Sequence, residues 1–471
     1  MQTEPVLCAD LDGTVIETDL LQESICAAIK RNPLYLFMLF VWLLRGRAHL
    51  KAKLAELVQI DASLLPYNEK FVEYLRAQKQ SGRKVVLATA SDLALAKGVY
   101  DHLGCFDEIL ASDGKYNLRG SNKARYLREK YRDFAYAGNS TVDFPVWRAA
   151  KQVILVSSEE SLIKRVTREF AGALCFPGYK FSLLKLVRAL RTHQWLKNLL
   201  IFVPLIMAHR WQELPKSFST LVAFFSFSLC ASSVYILNDL FDLESDRQHH
   251  SKRNRPFASG ALPLALGFAL VPLLFLSALL LSFSSTKDFT LTLVLYFIIT
   301  LFYSLRLKRI LLLDIVTLAS LYTVRIFAGG VAADVPVSEW LLAFSMFIFF
   351  SLACLKRYSE LHNLLRTQKE KTLGRGYLVS DLTQISQFGS SSAYISVLVL
   401  ALYIRSPEVL ALYHHPMVLW AVCPVLLYWV SRMWLLAHRG EIDEDPIVFA
   451  IEDKVSIIVA FLALVLVLAA I

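Results

Sequence analysis

The order of apolar and polar positions divides this chain in two. Through residues 1 to about 170, apolar runs are short and polar residues of both signs interrupt them. Val6–Ala9, Val85–Ala88 and Val153–Val156 are such runs, each ending at a polar cluster. Between them, Asn68–Gln80 and Leu93–Leu103 read as helices. Strands alternating with helices predict an α/β domain with a parallel sheet over 1–170. Residues 171–181 (AGALCFPGYKF) hold two Gly and one Pro and are expected to link the halves. Beyond them, from 182 to 471, long apolar stretches recur between short polar loops. Nine candidate spans fall near 196–209, 218–237, 262–283, 289–304, 311–331, 340–355, 391–404, 416–436 and 455–471. A bilayer core takes about 20 helical residues, so an all-α nine-helix transmembrane bundle is expected, with the first and seventh spans short.

Pro33–Leu44 (PLYLFMLFVWLL) breaks the soluble pattern of the first half. It is apolar throughout, with Lys30, Arg31, Arg45 and Arg47 around it. Its length gives about 18 Å of helix, too short to span. Two readings stand: a buried helix covering the α/β domain, or a helix lying in the membrane interface with basic flanks reaching the headgroups.

Composition agrees with a membrane protein carrying a soluble part. Of 471 residues, 55% are hydrophobic and 19% charged, and the mean hydropathy is +0.46. A soluble domain carries about 25% charged residues, so a single large soluble enzyme is excluded. The seven cysteines are scattered and form no CxxC pair, which excludes a structural zinc site and a disulfide framework. Threading nine spans from a cytoplasmic first half leaves fifteen Lys and Arg in inner loops against four in outer ones. That follows the positive-inside rule and predicts a multi-pass inner (cytoplasmic) membrane protein whose first half and active sites face the cytoplasm. The first residues, with Glu4 and Asp10, lack the basic and apolar regions of a secretory signal. The net charge of +10 suits anionic headgroups or anionic substrates. No basic stretch is interleaved with a stacking platform, so nucleic acid is not an expected partner.

Cys8–Thr14 (CADLDGT) places two carboxylates, Asp10 and Asp12, just beyond a strand, at the edge where α/β sheets bind ligands. One can attack phosphorus while the other manages the leaving-group proton. Val85–Ser91 (VVLATAS) brings hydroxyls to another strand end, Lys123 opens a helix, and Gly138–Asp143 (GNSTVD) follows a further apolar run. This ordered set resembles the haloacid dehalogenase superfamily of phosphatases over about residues 5–165. The resemblance implies a Rossmann-like domain with a helical cap at about 15–80. It implies Asp10 as nucleophile, Asp12 as general acid and then base, and Thr89, in preference to Ser91, with Lys123 on the phosphoryl oxygens. Mg²⁺ would be held by Asp10, the Asp12 carbonyl, Asn139 and Asp143. An acidic residue is usual where this chain has Asn139, whose amide oxygen can still ligate a hard cation.

Asn238–Asp246 (NDLFDLESD) lies at the inner end of the second span. Asn238, Asp242 and Asp246 are four apart and share one helix face. Clustered acids at a membrane end are costly unless they meet cations, and carboxylates so arranged can hold Mg²⁺ on a pyrophosphate. Lys252, Arg253 and Arg255 follow and suit phosphate oxygens. From about 185 to 471 the chain resembles the UbiA superfamily of intramembrane transferases, which carry an NDxxDxxxD motif. In place of the second multi-aspartate motif of aromatic prenyltransferases it has YSLRLKRILLLD at 303–314, Arg325, KRYSE at 356–360, RTHQWLKN at 191–198 and EDPIVFAIEDK near the end. These look like the polyprenyl-phosphate phosphoribosyltransferase branch. The resemblance implies catalytic roles for Asp242 and Asp246, with Asn238 and Asp314 helping to handle Mg²⁺ and donor. It implies donor contacts from Lys252, Arg255, Tyr303, Lys308 and Arg325, and an anionic substrate on Gln194, Lys197 and Asn198. For Lys197, Lys308 and Lys356 snorkelling at a helix end is the competing reading.

Together the halves imply a bifunctional enzyme. Phosphoribose would pass from phosphoribosyl pyrophosphate to the lipid polyprenyl phosphate, and the phosphatase would remove the remaining 5-phosphate. A prenyltransferase using prenyl pyrophosphate with a fused phosphatase, and a transporter or scaffold carrying a phosphatase, remain open at this level. Lipid chain length and oligomeric state do not follow from the residues.

Overall fold

The computed structural model describes residues 4–113, 117–366, 375–442 and 445–471. Two compact units emerge: residues 1–191 with 235–272, and residues 192–234 with 273–471.

The first unit is built on a six-stranded parallel sheet in the order β3-β2-β1-β4-β5-β6. Its strands are β1 (Val6–Ala9), β2 (Val85–Asp92), β3 (Glu108–Ser112), β4 (Phe134–Gly138), β5 (Gln152–Val156) and β6 (Leu174–Phe176). Successive residues of β1 face opposite layers. Leu7 and Ala9 join one core with Phe71, Val85 and Leu87, and Cys8 joins the other with Val86, Tyr136 and Trp147. Burial on both faces is why these strands read as continuous apolar runs rather than alternating ones. The strand order reverses between β1 and β4, so the carboxyl ends of these strands open the crevice in which such sheets bind ligands.

Two features differ from expectation. β6 lies inside the stretch 171–181 expected to be a linker, and pairs with β5 from Ile154↔Leu174 to Val156↔Phe176. Leu-Cys-Phe favours a strand, and the surrounding Gly and Pro only bound it. β2 runs four residues past its apolar run, to Asp92, because Thr89 and Ser91 keep the extended backbone.

Four helices lie between β1 and β2: α1 (Leu20–Arg31), α2 (Tyr35–Leu44), α3 (Arg47–Leu57) and α4 (Glu69–Gln80). Asp19 caps α1 by accepting from the Gln22 amide at 3.1 Å, and Lys30 and Arg31 complement its carboxyl end. Ala28, Leu39, Leu50 and Leu54 knit α1, α2 and α3 together. α2 buries only Leu39. The same unit includes the loop after Phe241, where Gly260, with φ +72°, packs so close to Glu17 that a Cβ would sit 2.7 Å from its carbonyl oxygen.

Among the described residues seven helices are long and apolar enough to cross a membrane: Leu214–Phe241, Leu264–Ser282, Lys287–Leu305, Leu313–Ala333, Glu339–Arg366, Val379–Ile404 and Pro416–Arg439. The pair Pro446–Glu452 and Lys454–Ala470, bent by 82°, makes an eighth if taken as one span. The protein is a multi-pass membrane protein. The stretch expected as the first span is built from a 3-10 helix, Thr192–Phe202, followed by a short α-helix, Val203–Met207, and is not one continuous α-helix. Pro204, with no amide hydrogen, suits only the first turn of a new helix, so a continuous α-helix does not form there. The 82° bend follows from Asp453, whose backbone turns extended so that its side chain caps Ser456 at 2.8 Å while pairing with Arg432 at 2.6 Å.

Candidate active sites

Asp10 stands one residue beyond β1, its amide donating to the Ala137 carbonyl of β4 at 2.9 Å. Lys123, nearly fully buried at the start of the helix Ser121–Tyr131, donates to Asp10 Oδ1 at 2.8 Å and to the Tyr136 hydroxyl at 2.9 Å. Asp12 accepts from the Leu20 amide at 2.8 Å and from Ser91 Oγ at 2.6 Å. Burial, with Asp19 and Asp10 nearby, pushes its carboxyl up to about 7, within the range of a general acid and base at neutral pH. Gly13 has φ +74°, a conformation that strains any larger residue, and a Cβ there would stand 2.0 Å from the Asn139 amide nitrogen and displace that side chain.

The two hydroxyls of β2 have different partners. Ser91 touches Asp12, whereas Thr89, fully buried, accepts from the Ser91 amide at 3.0 Å. Asp143, expected from the resemblance as a ligand, is hydrogen-bonded within its own loop. Its Oδ2 accepts from the Asn139 and Ser140 amides, each at 3.1 Å, and from Ser140 Oγ at 3.2 Å, and its Oδ1 from Tyr136 at 3.0 Å. In this arrangement it shapes the 139–143 loop. Burial and the Asp10 charge push its carboxyl upward. Lys51 of α3 approaches as well, donating to the Ala90 carbonyl of β2 at 2.5 Å.

The acidic motif at the end of the helix Leu214–Phe241 is held by arginines. Arg255 Nη1 bridges Asp239 at 3.2 Å and Asp246 at 2.7 Å, and Arg191 also pairs with Asp239. Asp242 is the junction residue between that helix and the next, Leu243–Gln248, and its side chain makes no capping hydrogen bond. Lys252 sits in a short 3-10 turn. Arg247 grips Glu23 of α1 with both terminal nitrogens, at 2.6 and 3.2 Å, while its Nε donates to Ala258 O at 2.8 Å. Thr18 Oγ1 donates to the same Glu23 at 2.7 Å. This bidentate pair, almost fully buried on both sides, ties the phosphatase-like side of the unit to the acidic motif. We expect Glu23→Ala to destabilise the protein by about 3–5 kcal/mol, because Arg247 would be left buried and uncompensated. Glu23→Leu with Arg247→Met should recover most of that, as read by thermal unfolding of the full chain in detergent.

In the second unit the expected residues fall into three groups. Arg325 donates to Asn198 Oδ1 at 2.8 Å and to Tyr296 at 2.7 Å, and Asn198 donates to Ser228 at 3.0 Å. Asp314, fully buried, accepts from Arg357 at 2.6 Å on one oxygen and from Tyr377 on the other. Each oxygen thus has one protein donor, and Asp314 belongs to an ion-pair core that also includes Tyr303 and Glu360. Lys197 pairs with Asp445 at 2.7 Å, as does Lys356 at 3.3 Å. Lys197 also lines an apolar cavity of about 420 Å³ with Leu200, Tyr322, Phe349 and Trp429. Gln194 is half-buried on the same 3-10 helix, and Lys308 half-buried in the turn 307–309. Of the late motif beginning at 444, Glu444 lies outside the described residues.

Residues 199–465 match the UbiA prenyltransferase family. The chain belongs to that family. Residues 7–148 match the haloacid dehalogenase-like hydrolases, so a UbiA region is fused to a domain of that type. Among curated proteins, the chain is 36% identical over 455 residues to the uncharacterized protein y4nM of Sinorhizobium fredii, covering 96% of this chain and 88% of that one. It is 36% identical over 280 residues to nodulation protein NoeC of Azorhizobium caulinodans, covering 59% of this chain and 91% of that one. It is 37% identical over 188 residues to decaprenyl-phosphate phosphoribosyltransferase of Mycolicibacterium smegmatis, covering 39% of this chain and 58% of that one.

Both families are typically Mg²⁺-dependent. The first site offers oxygen donors alone (the Asp10 carboxylate, the Asp12 carbonyl and the Asn139 amide), a set that suits Mg²⁺. Burial first, and neighbouring carboxylates second, push the Asp12 and Asp143 carboxyls upward. Among the described residues no three His, Cys, Asp or Glu side chains converge as a ligand set. In the UbiA region's motif, Asp246 shares its charge with Arg255, so a cation there would compete with or complement that guanidinium. Asp239, Arg191, Tyr136 and Glu23 carry these sites without having been singled out in the sequence. Asp239 was legible as the second residue of the motif; the others are brought in by folding.

Proposed function

We propose that this protein transfers phosphoribose from phosphoribosyl pyrophosphate to polyprenyl phosphate and then removes the 5-phosphate, giving polyprenyl-phosphoryl-ribose. The observation that carries the reading is the fusion itself. A UbiA region related to decaprenyl-phosphate phosphoribosyltransferases shares a chain with a phosphatase-type site, and phosphoribosyl transfer leaves the phosphomonoester such a site hydrolyses. Fusion also raises the local concentration of the intermediate at the second site.

The residues support each half. At the phosphatase site Asp10 attacks phosphorus, Lys123 steadies the phosphoryl oxygens, and Asp12, positioned by the Leu20 amide and Ser91, gives its proton to the leaving oxygen and recovers it from water. In the UbiA region, Asn238, Asp242 and Asp246 would hold the Mg²⁺ that meets the pyrophosphate end of the donor, and Lys252 and Arg255 beside them contact its phosphate oxygens. The cavity lined by Lys197 has the character of a seat for an isoprenoid with an anionic head. Mg²⁺, when bound, would draw negative charge from phosphate oxygens at both sites. The charge of the loops supports an inner-membrane location with both sites on the cytoplasmic face.

Purified protein given labelled phosphoribosyl pyrophosphate and a polyprenyl phosphate should place label in the lipid fraction. Folded protein that leaves the lipid unlabelled refutes the transferase half. Label entering product from a prenyl pyrophosphate instead would favour the prenyltransferase reading that the family name itself supports.

A further inference from the structure

α2 is the least covered element of the first unit. Leu36, Phe37, Phe40 and Leu44 are 58, 72, 65 and 74% exposed, and Leu34, Met38, Val41 and Leu43 are exposed beside them. Successive helical positions turn by about 100°, so these side chains point around most of the circumference. A protein groove covers one face of a helix; a bilayer surface can cover several. The helix is ten residues long, about 15 Å, which is too short to cross and suits lying in the interface. Arg45 and Arg47 follow it, both exposed, where they meet lipid phosphates. The chain is a multi-pass membrane protein, so a bilayer is always within reach.

α2 is also joined directly to the catalytic crevice. Leu39 and Trp42 pack against Leu50 and Leu54 of α3, and α3 carries Lys51. Its Nζ reaches the Ala90 carbonyl, between Thr89 and Ser91, and its charge acts on Asp10, Asp12 and Asp19. An ammonium so placed is a ready partner for a phosphoryl oxygen.

We propose that the phosphatase site takes a phosphomonoester borne by a membrane lipid, with α2 lying in the bilayer surface and Lys51 of α3 binding the substrate phosphate. This rests on the phosphatase reading above and adds the helix that meets the bilayer and the lysine that meets the substrate phosphate. A soluble phosphate ester offers the same phosphate but has no use for α2.

The test uses the full chain in phosphatidylcholine and phosphatidylglycerol vesicles. A nitroxide at Phe40→Cys, in a Cys175→Ser, Cys423→Ser background, should collide more with oxygen than with a polar nickel chelate. The reverse order overturns the lipid contact. Phosphate release is then compared for a lipid-linked ribose 5-phosphate in the vesicles and for free ribose 5-phosphate. Phe37→Glu with Phe40→Glu should lower the ratio of lipid to soluble turnover about tenfold; an unchanged ratio overturns the proposal. Lys51→Met should raise KM for both esters about tenfold or more, and Lys51→Arg should restore part of it; an unchanged KM removes Lys51 from the site. Wild-type protein that hydrolyses neither ester refutes the phosphatase reading and the substrate assignment with it, while the nitroxide still decides whether α2 lies in lipid.

Discussion

Asp10→Asn protein, supplied with phosphoribosyl pyrophosphate and polyprenyl phosphate, accumulates a lipid that keeps its 5-phosphate. Dephosphorylation falls by about a thousandfold or more, because the attacking carboxylate is gone and the remaining groups only bind and polarise. Transfer itself continues, since the acidic motif is untouched. Folding should survive: the amide keeps an oxygen for Lys123, which also holds the Tyr136 hydroxyl. Thin-layer separation of labelled lipids, before and after treatment with an added phosphatase, reads the result. Unchanged final product would mean that the phosphatase half acts on something else.

Asp242→Asn is the complementary experiment. It should lower label transfer into lipid by about a hundredfold or more while hydrolysis of free ribose 5-phosphate stays near wild type. Asp242 sits at the junction of two helices, as the last residue before Leu243–Gln248, and its side chain makes no capping hydrogen bond there, so an isosteric amide removes the charge without breaking a cap. Asp246→Asn is the less clean choice, because it also releases Arg255 from its 2.7 Å contact. If both activities fall together, the substitution has disturbed the fold of the unit. If neither falls, the motif does not carry the transfer.

How much was legible depended on whether the signal was local. CADLDGT, VVLATAS and GNSTVD sit at the carboxyl ends of β1, β2 and β4, and their order along the chain foretold that edge because parallel strands with helical connections leave few other arrangements. The long apolar spans were legible for the same reason. Hydropathy alone did not show that residues 192–207 combine a 3-10 and an α-helix in place of one continuous α-helix. It also did not reveal that Leu174–Phe176 would extend the sheet. In the sites, what the residues did not announce was decided by tertiary partners. Ser91 and Thr89 are two residues apart on one strand, and only the turn of Asp12 decides which hydroxyl it meets. Nothing near Asp314 foretold that Arg357 and Tyr377 would fold against it. Glu23 and Arg247 are 224 positions apart, so nothing near either residue announces their pairing.

That pairing bears on how the protein can be taken apart. A chain cut after residue 181 would strand Arg247 with no counter-ion and leave the loop at Gly260 without the backbone it rests on. The excised helical region would then lose grip on the segment bearing Asp242 and Asp246, and its impaired turnover would be mistaken for dependence on phosphatase chemistry. An intact chain silenced at Asp10 is the sounder reference, because it keeps the brace and removes only the nucleophile.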